Sequence, residues 1–98
     1  MILFSINAYI MSNRNNGFTD KIVCKNGLTL SVQASSFHYC SPRNDSGPWN
    51  KVEVGYPSRK IDELMEYAEN PAAPTETVYA FVPHDVIEKI VLDNGGLL

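Results

Sequence analysis

Reactive side chains are scarce in this sequence: its 98 residues hold two cysteines, two histidines and one tryptophan. Cys24 and Cys40 are too few for a disulfide framework. Neither belongs to a Cys-x-x-Cys pair, which leaves no zinc ribbon or dithiol redox motif and makes a reducing compartment the default. His38-x-Cys40 offers two ligands where structural zinc takes four and catalytic zinc at least three, so no metal or other cofactor is expected. The glycines are isolated apart from Gly95-Gly96, and no phosphate-cradling or dinucleotide fingerprint is present. The opening MILFSINAYI lacks a basic start and a small-residue cleavage site, and it is far short of the roughly 20 apolar residues of a membrane span. Neither membrane insertion nor secretion is expected, and the expected location is cytoplasmic.

What is present is an ordinary globular composition, 44% apolar and 19% charged, in a chain long enough for one core and one function. Met11 is followed by the turn-rich SNRNNG, which makes Met11 a second candidate start. Residues 1–18 are therefore expected to be an N-terminal extension and residues 19–98 a single α+β domain. The net charge of −3 is unevenly spread: residues 1–60 carry seven Lys and Arg against three acids, residues 61–98 one against eight. That asymmetry fits either an acidic interaction face or helices with ordinary solvated sides. With no basic stripe and no helix-turn-helix spacing, duplex DNA is not an expected direct partner.

The stretch DKIVCKNGLTLSVQA alternates apolar and polar residues around Asn26-Gly27, the dipeptide favoured by a two-residue type I′ turn. It predicts a hairpin with Ile22, Cys24, Leu28, Leu30 and Val32 on one face, and so a core position for the Cys24 thiol. KVEVGY predicts a third strand with Val52, Val54 and Tyr56 on one side. RKIDELMEYAE, capped by Ser58, places Ile61, Leu64, Met65 and Ala68 on a helical stripe that Asn70-Pro71 ends. TETVYAFV is apolar on both faces, as a strand inside a sheet would be. HDVIEKIVLDN predicts a second helix with Val86, Ile87, Ile90 and Val91 inward, Asp85, Glu88 and Lys89 outward, and Gly95 as its C-terminal cap. The expected fold is α+β: a small mixed or antiparallel sheet of about four strands, in the order β-β-β-α-β-α, with two helices packed on one face.

Between the second and third strands lies SSFHYCSPRNDSGPW, dense in rings and charges. A Cys40–His38 dyad would need partners from distant segments to orient the imidazole, and residues two apart in a loop provide that poorly. A Cys-dependent enzyme is thus the third choice, and the expectation is that the protein is not an enzyme. Tyr, Trp and Arg are the side chains that most often anchor interfaces, and the same set can sandwich a base while a guanidinium takes a phosphate. Candidate binding residues in the loop 36–49 are His38, Tyr39, Arg43, Asp45 and Trp49. Equally open is a purely structural loop in which Phe37 and Trp49 plug the core while Pro42, Gly47 and Pro48 shape the chain. A second candidate surface is the acidic helix faces, Asp62, Glu66, Glu69 and Glu88.

The ordered strings SVQAS, YCSPR, VEVGYPS, YAE, TVYAFVP and the terminal GG resemble small accessory proteins encoded by bacteriophages and prophages, over roughly residues 21–97. What the resemblance implies is context, because such proteins are frequently inhibitors of host defence. On that basis the expected function is non-enzymatic: binding and blocking a host defence protein or ribonucleoprotein, such as a CRISPR effector complex, in the cytoplasm of the host bacterial cell. The alternative is a sponge for a nucleotide signal, held by His38, Tyr39, Arg43 and Trp49, across a homo-oligomer interface.

Overall fold

The computed structural model describes residues 4–98. Strand β3 (Ile22–Val23), β4 (Thr29–Gln33), β5 (Lys51–Gly55) and β6 (Val78–Pro83) form a four-stranded antiparallel sheet in sequential order. Ahead of it, a helix, α1 (Ile6–Asn13), leads into a separate two-stranded hairpin, β1 (Arg14–Asn15) and β2 (Phe18–Thr19). A six-residue 3₁₀ helix (Asp62–Tyr67) links β5 to β6, and α2 (His84–Asp93) follows β6 directly. The fold is α+β, as the patterning indicates.

Alternation on the strands dictates which face is sealed. Leu30 and Val32 of β4, Val52 and Val54 of β5, and Tyr79 and Val82 of β6 are buried, in one core with Ile22, Cys24, Leu64, Ile87, Ile90 and Val91. The opposite face carries Thr29, Ser31, Gln33, Lys51 and Glu53, none of which is buried. Gly95 ends α2 in the expected manner: its N–H donates to Leu92 O at 3.1 Å, and that of Gly96 to Val91 O at 2.9 Å. The chain then returns along β3, where Leu98 N–H meets Val23 O at 2.9 Å and Lys25 N–H meets Gly96 O at 3.0 Å, covering that edge of the sheet.

Several expectations are corrected. The core does not stop at residue 19, because Ile6 and Ile10 of α1 are fully buried in it. The type I′ turn forms at Asn16-Gly17, whose φ angles are 55° and 83°, and not at Asn26-Gly27. There only Gly27 is left-handed, in a three-residue loop closed by Cys24 N–H to Leu28 O at 2.8 Å. The reason is tertiary: the backbones of Lys25 and Asn26 are bonded to Gly96 and Asn94.

The stretch 59–69, expected as an amphipathic α-helix, gives only the 3₁₀ helix Asp62–Tyr67. Ser58 does not cap it, since its hydroxyl accepts from Thr29 N–H at 3.0 Å and its N–H donates to Thr29 O, which holds the chain to β4 at that residue. Ala68 already pairs with Tyr79, so few residues remain for a helix. Strand β6 lies at the sheet edge and antiparallel to β5, with a bulge: Val52 faces Val82 but Val54 faces Tyr79, so Ala80 and Phe81 share the place opposite Glu53. Tyr56 leaves the Val52–Val54 face, adopts φ 51° and is exposed.

Candidate functional site: a row of exposed rings

The loop after β4 is fastened from beneath by residues outside it. Asn7 of α1 binds the backbone of Trp49 as a neighbouring strand would: its Oδ1 accepts from Trp49 N–H at 2.6 Å, and its Nδ2 donates to Trp49 O at 2.8 Å. Trp49 Nε1 donates to Asn44 O at 3.0 Å, which satisfies the one polar atom of a ring that is 1% exposed. The guanidinium of Arg14 stands 5.3 Å from the indole centroid and donates to Asp45 O at 2.8 Å. Asp45 accepts from Ser36 N–H at 3.0 Å, and that bond chiefly holds its carboxyl below the usual range, with Arg14 adding to it. Trp49 is therefore a core plug and Asp45 a clasp across the loop. Of the two rings considered as plugs, Phe37 is not one, being half exposed.

His38 also turns inward, at 6% exposure. Its Nδ1 lies 2.6 Å from Ser35 Oγ; its ring lies 4.5 Å from that of Phe37 and edge-on to that of Phe18 at 5.5 Å. Burial lowers its pKa below the ordinary histidine value, against the opposing pull of Glu53. The Ser35 oxygen is fully buried and accepts from Phe37 N–H at 3.1 Å, so it supports the turn and has no open side for a substrate. Cys40 is buried too. Its thiol donates to Ser35 O at 3.1 Å, and burial raises its pKa, which disfavours the thiolate that nucleophilic chemistry requires. Cys24 is a core thiol, likewise raised by burial. Among the described residues, no group of three His, Cys, Asp or Glu is placed to hold a metal ion, and no helix is long and apolar enough to cross a membrane.

What remains outside is a row of aromatic side chains. Phe18 packs on Phe37 at 5.2 Å between centroids, and Tyr39 on Phe81 at 6.1 Å; the two pairs are joined through residues 37–39. All four are between 41% and 58% exposed. The backbone of Tyr39 is fixed at both ends, its N–H donating to Glu53 Oε1 at 3.0 Å and its carbonyl accepting from Phe81 N–H at 3.1 Å. Phe18 is brought to the row by Gln33, whose amide accepts from Thr19 N–H at 2.7 Å and donates to Thr19 O at 2.8 Å. Arg43 lies over the Tyr39 ring at 5.5 Å and has no carboxylate partner among the described residues.

Of the five loop candidates, then, Tyr39 and Arg43 are together at the surface, while His38 and Trp49 are inside and Asp45 is engaged in holding the loop. Of the acids, Asp62, Glu66 and Glu69 stay outward. Glu88 does not: its carboxylate accepts from Ile6 N–H at 3.1 Å and meets His84 Nδ1 at 3.0 Å, anchoring α1 to α2. Sequence reasoning missed Phe18 and Phe81. A second Asn-Gly just before Phe18 was the available signal for the first, and the two-sided apolar run of β6, compatible with a bulge, for the second. Compared with protein-family models, curated proteins and solved structures, the chain matches none.

Proposed function

We propose that the protein is a non-enzymatic binding module that grips a protein partner with Phe18, Phe37, Tyr39, Phe81 and Arg43. The observation that carries this reading is the exposure of two packed ring pairs, Phe18–Phe37 and Tyr39–Phe81, on a fixed backbone, beside a guanidinium with no carboxylate partner among the described residues. Contiguous exposed apolar surface marks interaction sites, and aromatic and Arg side chains carry most of the energy of interfaces. Charge complementarity defines the partner: an apolar socket for the rings with an Asp or Glu beside it for Arg43. The outward acids Asp62, Glu66 and Glu69 are available to steer a basic patch on the same partner. The resemblance to phage accessory proteins supports a bacterial defence component as that partner, met in the host cytoplasm. The nucleotide-sponge reading is weakened because two of its four ligands, His38 and Trp49, lie inside the protein.

Panning a random dodecapeptide display library on the folded protein tests the chemistry directly. Enriched peptides should combine aromatic or aliphatic residues with Asp or Glu. Tyr39→Ala and Arg43→Ala should each weaken the best peptide at least tenfold, equivalent to about 1.4 kcal/mol. Peptides without an acid, or peptides indifferent to both substitutions, overturn the proposal. Tight binding of a fluorescent oligothymidylate would instead assign the rings to single strands. A dimer in sedimentation that Tyr39→Ala dissociates would assign them to a second copy of the chain.

A further inference from the structure

We infer that Phe81 and Tyr56 are kept in left-handed backbone conformations for the sake of their exposed rings, and that the contact surface runs along β5 and β6 from one to the other. This rests on the binding-module reading and extends it. Their φ angles are 53° and 51°, a region in which a bulky L-residue is strained and glycine is not. Every other left-handed position among the described residues is Gly or Asn: Asn16, Gly17, Gly27, Gly47, Gly95 and Gly96.

The bonds that hold the two positions are made by the main chain. Phe81 N–H donates to Tyr39 O and Tyr56 N–H to Thr77 O, each at 3.1 Å, and a glycine would keep both. The side chains are 43% and 55% exposed. An L-residue with a costly backbone, an exposed ring and, among the described residues, no hydrogen bond that depends on the ring points to a use outside the fold. Because Tyr56 is bonded to Thr77, its backbone lies four residues along the chain from Phe81, roughly 13 Å at the rise of a strand. Between them β6 carries Val78 and Ala80, both partly exposed. The surface so defined is a stretch of β6 with an exposed ring at each end. It fits an extended apolar segment of the same partner, whose carboxylate reaches Arg43.

The test uses Phe81→Gly and Tyr56→Gly in the full chain, each beside its Ala counterpart, with thermal melting and titration of the selected dodecapeptide. Each Gly variant should melt at or up to about 5 °C above the parent and above its Ala counterpart, while binding the peptide at least fivefold more weakly. Gly variants that melt several degrees below the parent would make the rings structural and overturn the inference. So would unchanged peptide affinity. If Tyr39→Ala and Arg43→Ala lose the peptide and the Gly variants do not, this inference fails and Phe81 leaves the gripping set, while the binding reading stands on Tyr39 and Arg43; if none of the four loses it, the binding reading fails as well.

Discussion

Trp49 and Tyr39 belong to one loop and are both aromatic, yet one is sealed in the core and the other stands in solvent. The difference is made by partners. Trp49 has Asn7 on its backbone and Asn44 on its indole nitrogen, whereas the bonds of Tyr39 fix its backbone and leave its ring outside. Nothing local announces this, since Asn7 is 42 residues away in the chain. His38 has a similar fate with a measurable consequence. Burial makes its folded form resist a proton that the unfolded chain accepts near pH 6.5. The unfolded state therefore binds more protons in that window, and stability falls as pH drops from about 7 through 6.5 towards the lower folded value. The melting temperature of the parent should decline between pH 7.5 and 5.5, and that of His38→Gln should be flatter over the same range. Equal slopes would mean that His38 takes its proton without leaving its site beside Ser35, Phe18 and Phe37.

Among the elements, those with a strong local period were legible and those fixed by distant contacts were not. Helix α2, the β3–β4 hairpin and the inward set Ile61, Leu64, Met65 and Ala68, of which the first two are buried and the others partly so, follow from spacing alone. The 3₁₀ form of that last segment does not, because Thr29 and Tyr79 decide where it begins and ends. The edge position of β6 was obscured because a bulge also places apolar residues on both sides. The helix α1 went unread because an uncharged opening decapeptide has no amphipathic contrast. For the candidate site the loop was legible as a unusual cluster, but its division into inward and outward residues was not. The loop itself turns on Gly47, which has φ 63° and where an added Cβ would lie 2.9 Å from the Trp49 ring. Gly47→Ala meets strain and a clash together, so it should cost about 1–3 kcal/mol, lowering the melting temperature by several degrees. It should also weaken peptide binding through a displaced Trp49 and the chain leading to it. A variant that melts like the parent would mean that the indole can shift freely, and that the loop is not held by it.

At the scale of the whole molecule, one core serves a sealed sheet face and the elements that close it, leaving the other face for the rings. The N-terminal segment is part of that closure. Ile6 and Ile10 are fully buried, Asn7 holds Trp49, and Ile6 N–H is bound by Glu88. A chain beginning at Met11 loses all of these at once. Removing two buried isoleucine side chains is worth about 4–10 kcal/mol at the 2–5 kcal/mol typical of Ile→Ala, against a total stability of about 5–15 kcal/mol for a domain of ordinary size. Loss of the Asn7 bonds leaves the Trp49 backbone groups without their partners and adds to the deficit. The shortened protein should therefore give no cooperative melting transition by circular dichroism at 25 °C or above, and its indole fluorescence should shift towards that of solvent-exposed tryptophan. Ile10→Ala in the full chain, which removes a single buried side chain, should still melt cooperatively but at a lower temperature. A Met11 chain that melts as sharply as the parent would show that α1 sits on a core already complete without it. In that case the rigidity of the ring row would have to come from Gln33, Glu53 and the bulge of β6 alone.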